Sequence, residues 1–368
     1  MTDALKNLDE AGVSIWLDKL SRQMLHSGEL QALVDRHVTG VTTNPTIFAQ
    51  ALSAGDDYDD QLADLARRGA SVGEAIFDIT TDDVRAACDV LAPVYERTSG
   101  EDGRVSIEVQ PGLAYDTSGT ISEARELAVR VDRPGVMVKI PATAEGLPAI
   151  TETTAAGISV NVTLIFSQER YREVAHAFVE GLRLAQKNGH DLSQIRSVAS
   201  IFLSRIDTKV DAALEEIGTE EARELQGRAA VANARLCYQI AEEVFGEEFA
   251  DLRAAGAHPQ RPLWASTGTK NENYRKTLYV DSLIAPGVVN TMPPATLEAV
   301  AAELTDFSNA IVGSYREAAD TLATIERLGV DLDGIMRVLE KEGVDSFSAS
   351  WSELVDTAEA GLETVDGK

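Results

Sequence analysis

An amine set into an apolar run is the most reactive feature of this sequence. Lys139 lies in "GVMVKIPAT" between Val138 and Ile140, where an unpaired ammonium would be costly to bury. Desolvated amines lose proton affinity. A neutral amine attacks carbonyls to give a Schiff base, and the protonated imine is an electron sink for breaking or making a neighbouring C–C bond. That chemistry also needs a base for a hydroxyl proton and an acid/base for the carbinolamine. Asp18 in "VSIWLD" and Glu108 in "VSIEV" end comparable runs and supply carboxylates. For an anionic substrate, "SIFLSRID" offers Arg205, and "STGTKN" offers Ser266, Lys270 and the backbone amides around Gly268.

Taken singly, each residue has a plainer role. Asp18 also suits a helix N-cap before "KLSRQML", and Glu108 suits a structural ion pair with Lys139. Asn44 before Pro45 is a common turn signal. Ser200 and Ser266 mean little alone, and an arginine opening a helix is usually a solvated face. A strand lysine is commonly an edge residue, but the flanking Val-Met-Val and Ile-Pro argue against an edge here.

The elements that must position these groups are short β-type runs. There are eight: 13–18, 39–44, 105–109, 136–140, 158–165, 197–202, 262–266 and 287–292. Stretches of helical period separate most of them, such as "TTDDVRAACDVLAPVYERT" and "SQERYREVAHAFVEGLRLAQKNG". Strands joined through helices pair in parallel, and eight such units predict a closed α/β (β/α)8 TIM barrel, with an open doubly wound sheet as the alternative. The sixth to seventh connection, 203–261, is long, with helices expected over "SRIDTKVDAALEEIG" and "ARELQGRAAVANARLCYQIAEEVFG". Residues 295–368 read as further amphipathic helices, "TLEAVAAEL", "NAIVGSYREAADTLATIERLG" and "DLDGIMRVLEKEG". No linker severs them, so 1–368 is expected to form one domain with a helical C-terminal extension packed on it. Disorder is expected only at the ends, as in "ETVDGK".

Alternation along the strands sorts the side chains. Val136, Val138 and Ile140 take one side, and Met137 and Lys139 the other. Val105, Ile107 and Val109 oppose Ser106 and Glu108, while Val160, Val162 and Leu164 oppose Asn161 and Thr163. The apolar faces suit the outer helices. The polar set, Asp18, Asn44, Glu108, Lys139, Asn161, Thr163, Ser200 and Ser266, is then expected in the lumen near the carboxyl ends of the strands, where barrel enzymes place their chemistry.

Composition narrows the function classes. The 368 residues are 44% hydrophobic, 25% charged and 5% aromatic, the profile of an ordinary globular protein. A net charge of −27 argues against a nucleic-acid partner. The two cysteines, Cys88 and Cys237, provide neither a disulfide framework nor a cysteine metal site. No HExxH, P-loop or GxGxxG signature occurs, and the five histidines lie away from strand ends. No cofactor or metal is expected, nor a membrane partner. With no signal-like apolar core or membrane-length run, the expected location is cytoplasmic. Self-association into a homo-oligomer is compatible with these features.

Seven segments, "SIWLDKLSR", "GVTTNPTIF", "VSIEV", "VMVKIPAT", "SVNVTLIFS", "SIFLSRID" and "WASTGTKN", resemble the transaldolases, in order from about residue 13 to 292. The resemblance implies a (β/α)8 barrel of the class I Schiff-base aldolase group, acting in the pentose phosphate pathway on phosphorylated sugars. The implied reaction is a ping-pong transfer of a dihydroxyacetone unit from sedoheptulose 7-phosphate to glyceraldehyde 3-phosphate, giving erythrose 4-phosphate and fructose 6-phosphate. It further implies Lys139 as the Schiff-base lysine and Asp18 as the base for the C4 hydroxyl. Glu108 would work through a water that Thr163 helps to hold. Asn44 and Asn161 would bind hydroxyls of the dihydroxyacetone portion, with Ser200, Arg205 and Ser266 at the phosphate end. Two departures stand out. Many members carry an arginine two positions after the last serine, whereas Ser266-Thr267-Gly268-Thr269-Lys270 leaves Lys270 as the candidate second cation. The helical tail is also longer than in compact members, as in the longer bacterial transaldolases. Its expected role is stability or coverage of the barrel mouth. A simple fructose 6-phosphate-type aldolase is the alternative on the same scaffold.

Overall fold

Apolar residues on one side of each strand and an inward row on the other call for helices outside and a filled lumen inside, and this is the arrangement found. In the computed structural model, which describes residues 3–366, eight parallel strands close into a barrel in chain order. They are β1 (Val13–Leu17), β2 (Val38–Val41), β3 (Arg104–Glu108), β4 (Val136–Pro141), β5 (Val160–Ile165), β6 (Ser197–Phe202), β7 (Arg261–Ala265) and β8 (Val288–Met292). The open sheet is excluded, because β1 pairs with β8 from Val13 opposite Val288 to Leu17 opposite Met292. Strand β5 departs from regular register between Val162 and Ile165. There Leu164 adopts a φ of 59°, a left-handed conformation unusual for a branched residue.

The lumen is filled in levels. At the middle level Trp16 is fully buried. A Cβ on Gly40 of β2 would lie 2.5 Å from its indole, so glycine is required there. At the amino end Asp102 accepts hydrogen bonds from Trp16 Nε1 (2.9 Å) and Ser14 Oγ (2.5 Å), and its Oδ1 lies 3.4 Å from Arg261 Nη1. Arg261 also donates to Ser14 and to the Val288 carbonyl. Arg104 and Arg196, both buried, donate to carbonyls that close the same end, those of Gly100 and Pro134 for the first and Ser99 for the second.

The outer helices depart from expectation in three places. The stretch read as one helix over 222–246 is two, Glu220–Glu224 and Ala229–Val244. Gly227 breaks it with a φ of 72°, its N–H donating to Asp211 and the Tyr274 ring packed against it. The second tail helix is shorter than read, Tyr315–Arg327, because the Asn309 side chain folds the preceding residues into a turn. The third is far longer. It runs Leu332–Asp366 straight through Gly343, where the sequence predicts a stop. Gly343 is retained for packing, since a Cβ there would lie 2.9 Å from Leu164 Cδ2. The helix also takes in most of the "ETVDGK" end that was expected to be disordered, and only residues 367 and 368 of that stretch lie outside the described residues. This final helix contacts the helix Pro45–Ser53 after β2, the turn Pro111–Leu113 after β3, the helix Ser204–Ile217 after β6, and β5 itself. It therefore crosses the carboxyl-terminal mouth of the barrel. No helix among the described residues is long and apolar enough to cross a membrane.

Candidate active site

Strand register brings the reactive groups together. Glu108 of β3 pairs with Lys139 of β4, which pairs with Asn161 of β5. Lys139 Nζ lies 3.2 Å from Glu108 Oε2, with both side chains at most 5% exposed. The amine donates to the Thr43 carbonyl at 3.1 Å. The buried lysine is thus accompanied, as burial of a charge requires. Neither Glu108 oxygen accepts a well-aligned hydrogen bond. Burial raises the Glu108 carboxyl to about 7, against the opposing pull of Lys139. An acid in that range can donate or accept a proton near neutrality.

Above Lys139 opens a cavity of about 310 Å³ lined by Asp18, Asn44, Lys139, Thr163, Ser200, Arg205, Ser266 and Lys270 among others. Asp18 follows β1 directly, its backbone N–H tied to the Met292 carbonyl at 2.8 Å. Its carboxylate accepts from Thr42 Oγ1 at 2.8 Å, and Thr42 meets Thr291 Oγ1 at 2.6 Å. Burial raises the Asp18 carboxyl, while Lys139 and the Thr42 hydroxyl pull it down. The N-cap role falls to Ser21 instead, whose side chain accepts from Met24 N. Asn44 both caps the helix Pro45–Ser53, accepting from Ile47 N at 3.0 Å, and lines the cavity. Its turn role and its site role therefore coexist.

Thr163 is fully buried and its hydroxyl has no hydrogen-bond partner. The bulge at Leu164 follows it directly. Ser200 lines the cavity and donates to Asn161 Oδ1 at 2.7 Å. Asn161 departs from expectation. It sits one level down, fully buried, with Nδ2 donating to Ser106 Oγ at 2.9 Å, and it does not line the cavity. Glu108 likewise borders a separate small pocket, shared with Asn44 and Trp351. Its free space of about 20 Å³ suits roughly one water.

Arg205 reaches the cavity from the first turn of the helix Ser204–Ile217 after β6, and Lys270 from the loop after β7, beside Ser266. Among the described residues neither has a carboxylate within 4.0 Å, so both are available to an anion. Ser266 has a φ of 56°, and its hydroxyl meets Ser204 Oγ at 2.8 Å. In so acidic a chain, two cations at one mouth without a carboxylate in contact offer an attractive field to an anion.

Sequence reasoning missed several contributors. Thr42 and Thr291 are accessible to the same alternation of side chains. Gln50 and Phe347, which also line the cavity, are not. Phe347 comes from the final helix, and its ring lies over Lys139 Nζ at 5.5 Å. In sequence it is one more apolar residue of an amphipathic pattern.

Comparison with known proteins agrees with this geometry. The family model described as transaldolase/fructose-6-phosphate aldolase matches residues 15–358. The chain is 57% identical to transaldolase 2 of Streptomyces coelicolor over 367 residues, covering 99% of each. It is 56% identical to a transaldolase of Mycolicibacterium smegmatis, covering 98% of each, and 57% identical to one of Thermobifida fusca, covering 97% of each.

Proposed function

The chain belongs to the transaldolase/fructose-6-phosphate aldolase family, and from that premise we propose that it is a transaldolase whose nucleophile is Lys139. The observation that carries this reading is the Lys139–Glu108 pair at 3.2 Å, set beneath a cavity with two unpaired cations across its mouth. The ketose carbonyl of a phosphorylated donor condenses with the Lys139 amine, and water leaves. Asp18 takes the C4 hydroxyl proton, the C3–C4 bond breaks, and its electrons pass into the iminium to give an enamine. The aldose phosphate departs. The enamine then adds to the incoming aldehyde, and hydrolysis of the new imine frees Lys139.

Glu108, raised to about 7, exchanges protons through a water during imine formation and hydrolysis, with the unpartnered Thr163 hydroxyl as a second holder of that water. Asn44 binds donor hydroxyls from the cavity wall. Asn161 acts from beneath, through the Ser200 hydroxyl that it fixes. Arg205, Lys270 and Ser266 take the phosphate. The natural pair is sedoheptulose 7-phosphate and glyceraldehyde 3-phosphate, in the cytosolic pentose phosphate pathway, with residues 295–368 part of one domain with the barrel.

A donor assay separates transfer from simple aldol cleavage. With fructose 6-phosphate and erythrose 4-phosphate, sedoheptulose 7-phosphate should form. Without acceptor, free dihydroxyacetone should accumulate at least about ten-fold more slowly, a gap of roughly 1.4 kcal/mol in barrier. Equal rates would make the protein a fructose 6-phosphate aldolase.

A further inference from the structure

Phe347 stands apart from the other groups at the reactive amine because it comes from the tail, well outside the barrel strands. Its ring face covers Lys139 Nζ at 5.5 Å, and the residue is 5% exposed. Contacts on either side fix it there. Four residues earlier, Gly343 packs on Leu164, directly after Thr163. Three residues later, Ser350 Oγ meets Thr46 Oγ1 at 2.7 Å, on the helix that Asn44 caps. Glu342 pairs with Lys209 at 2.8 Å and Glu340 with Arg170 at 3.4 Å, holding the helix to the outer ring. Residues 343, 347 and 350 share one helical face, and that face is turned toward the site.

An aliphatic side chain over an ammonium would only desolvate it. An aromatic face excludes water and still attracts the cation. The same charge persists when the amine becomes a protonated imine.

We propose that Phe347 is the roof over the Schiff base, keeping bulk water from the three-carbon imine so that the held unit passes to an aldehyde rather than to water. The competing loss is defined. The enamine takes a proton at carbon, water adds to the iminium carbon, the C–N bond breaks, and dihydroxyacetone leaves with Lys139 restored. This role rests on the Schiff-base reading of Lys139 given above.

The test is the ratio of dihydroxyacetone release without acceptor to transfer with saturating erythrose 4-phosphate, from fructose 6-phosphate. Phe347→Ala should raise the ratio about ten-fold. Phe347→Leu, which keeps most of the bulk, should raise it only about two-fold. Leu354→Ala is the packing control: Leu354 is buried on the same helix and does not line the cavity. It should lower the melting temperature while leaving the ratio as in the wild type. An unchanged ratio in Phe347→Ala, or an equal rise in Leu354→Ala, would overturn the roof role. Borohydride labelling of wild-type Lys139 separates the two failures. If that label is absent, the Schiff-base reading fails; if it is present and the ratios do not move, only the roof fails.

Discussion

The two ends of this barrel both carry buried polar groups and treat them in opposite ways. At the amino end, Asp102, Ser14, Trp16 and Arg261 satisfy one another, and Arg104 and Arg196 are spent on carbonyls. At the carboxyl end, Glu108 Oε1 and the Thr163 hydroxyl lack hydrogen-bond partners, Glu108 Oε2 has only the Lys139 amine beside it at 3.2 Å, and Arg205 and Lys270 line the cavity without carboxylate partners. Polar groups that find partners inside the protein contribute stability, whereas groups left open await a ligand or a reaction. The division follows the strand direction, as expected when the reactive groups sit at the carboxyl ends of the strands and in the segments that follow them.

The sharpest way to break this contrast is to remove the groups at one end and ask which property fails. Lys139→Ala should lower transfer by at least about 10^4-fold, the scale of losing a covalent nucleophile. Glu108→Gln should lower kcat by about 10²–10⁴-fold, measured with saturating substrates. At the other end, Asp102→Ala leaves Arg261, Ser14 and Trp16 without their shared acceptor. It should cost about 3–5 kcal/mol of stability in urea unfolding, while kcat per folded molecule stays near wild type. A loss of kcat there would show that the ends are not separable.

Smaller effects sharpen the picture. Arg205→Ala should raise KM for glyceraldehyde 3-phosphate by about 10–100-fold, as expected for a charge-assisted contact, and leave KM for unphosphorylated glyceraldehyde nearly unchanged. Buried carboxyls also leave a signature in pH. Glu108 and Asp207 are both raised to about 7 by burial, so near pH 6 the folded chain keeps protons that the unfolded chain has released. Stability should therefore fall as pH rises from the ordinary carboxylate range to about 7 and level off above it. Glu108→Gln removes one share of that fall, on the order of 1–3 kcal/mol, read by unfolding at about pH 5 and about pH 8.

Much of this division is legible in the residues. Alternation in "VMVKI" and "VSIEV" places Lys139 and Glu108 side by side, and the register of β3 on β4 puts them opposite one another. The eight strands are legible because each is short, β-branched and bounded by helical punctuation. Less legible is depth. Asn161 and Thr163 share a face two residues apart, yet one is tied down below the site and the other opens into it. The bulge at Leu164 that follows them has no glycine to announce it. Gly343 misleads in the opposite sense, because its role is close packing across the molecule rather than ending a helix. Phe347 is the extreme case. Its place over Lys139 depends on how a tail helix crosses the mouth, and no local pattern encodes that path.

The most direct measurement is peptide mapping after incubation with fructose 6-phosphate and borohydride. A reduced three-carbon adduct on the Lys139 peptide, absent from Lys139→Ala, is the predicted result. An unlabelled Lys139 peptide in active protein, or label on another lysine, would contradict the assignment of the open end of the barrel as a Schiff-base site.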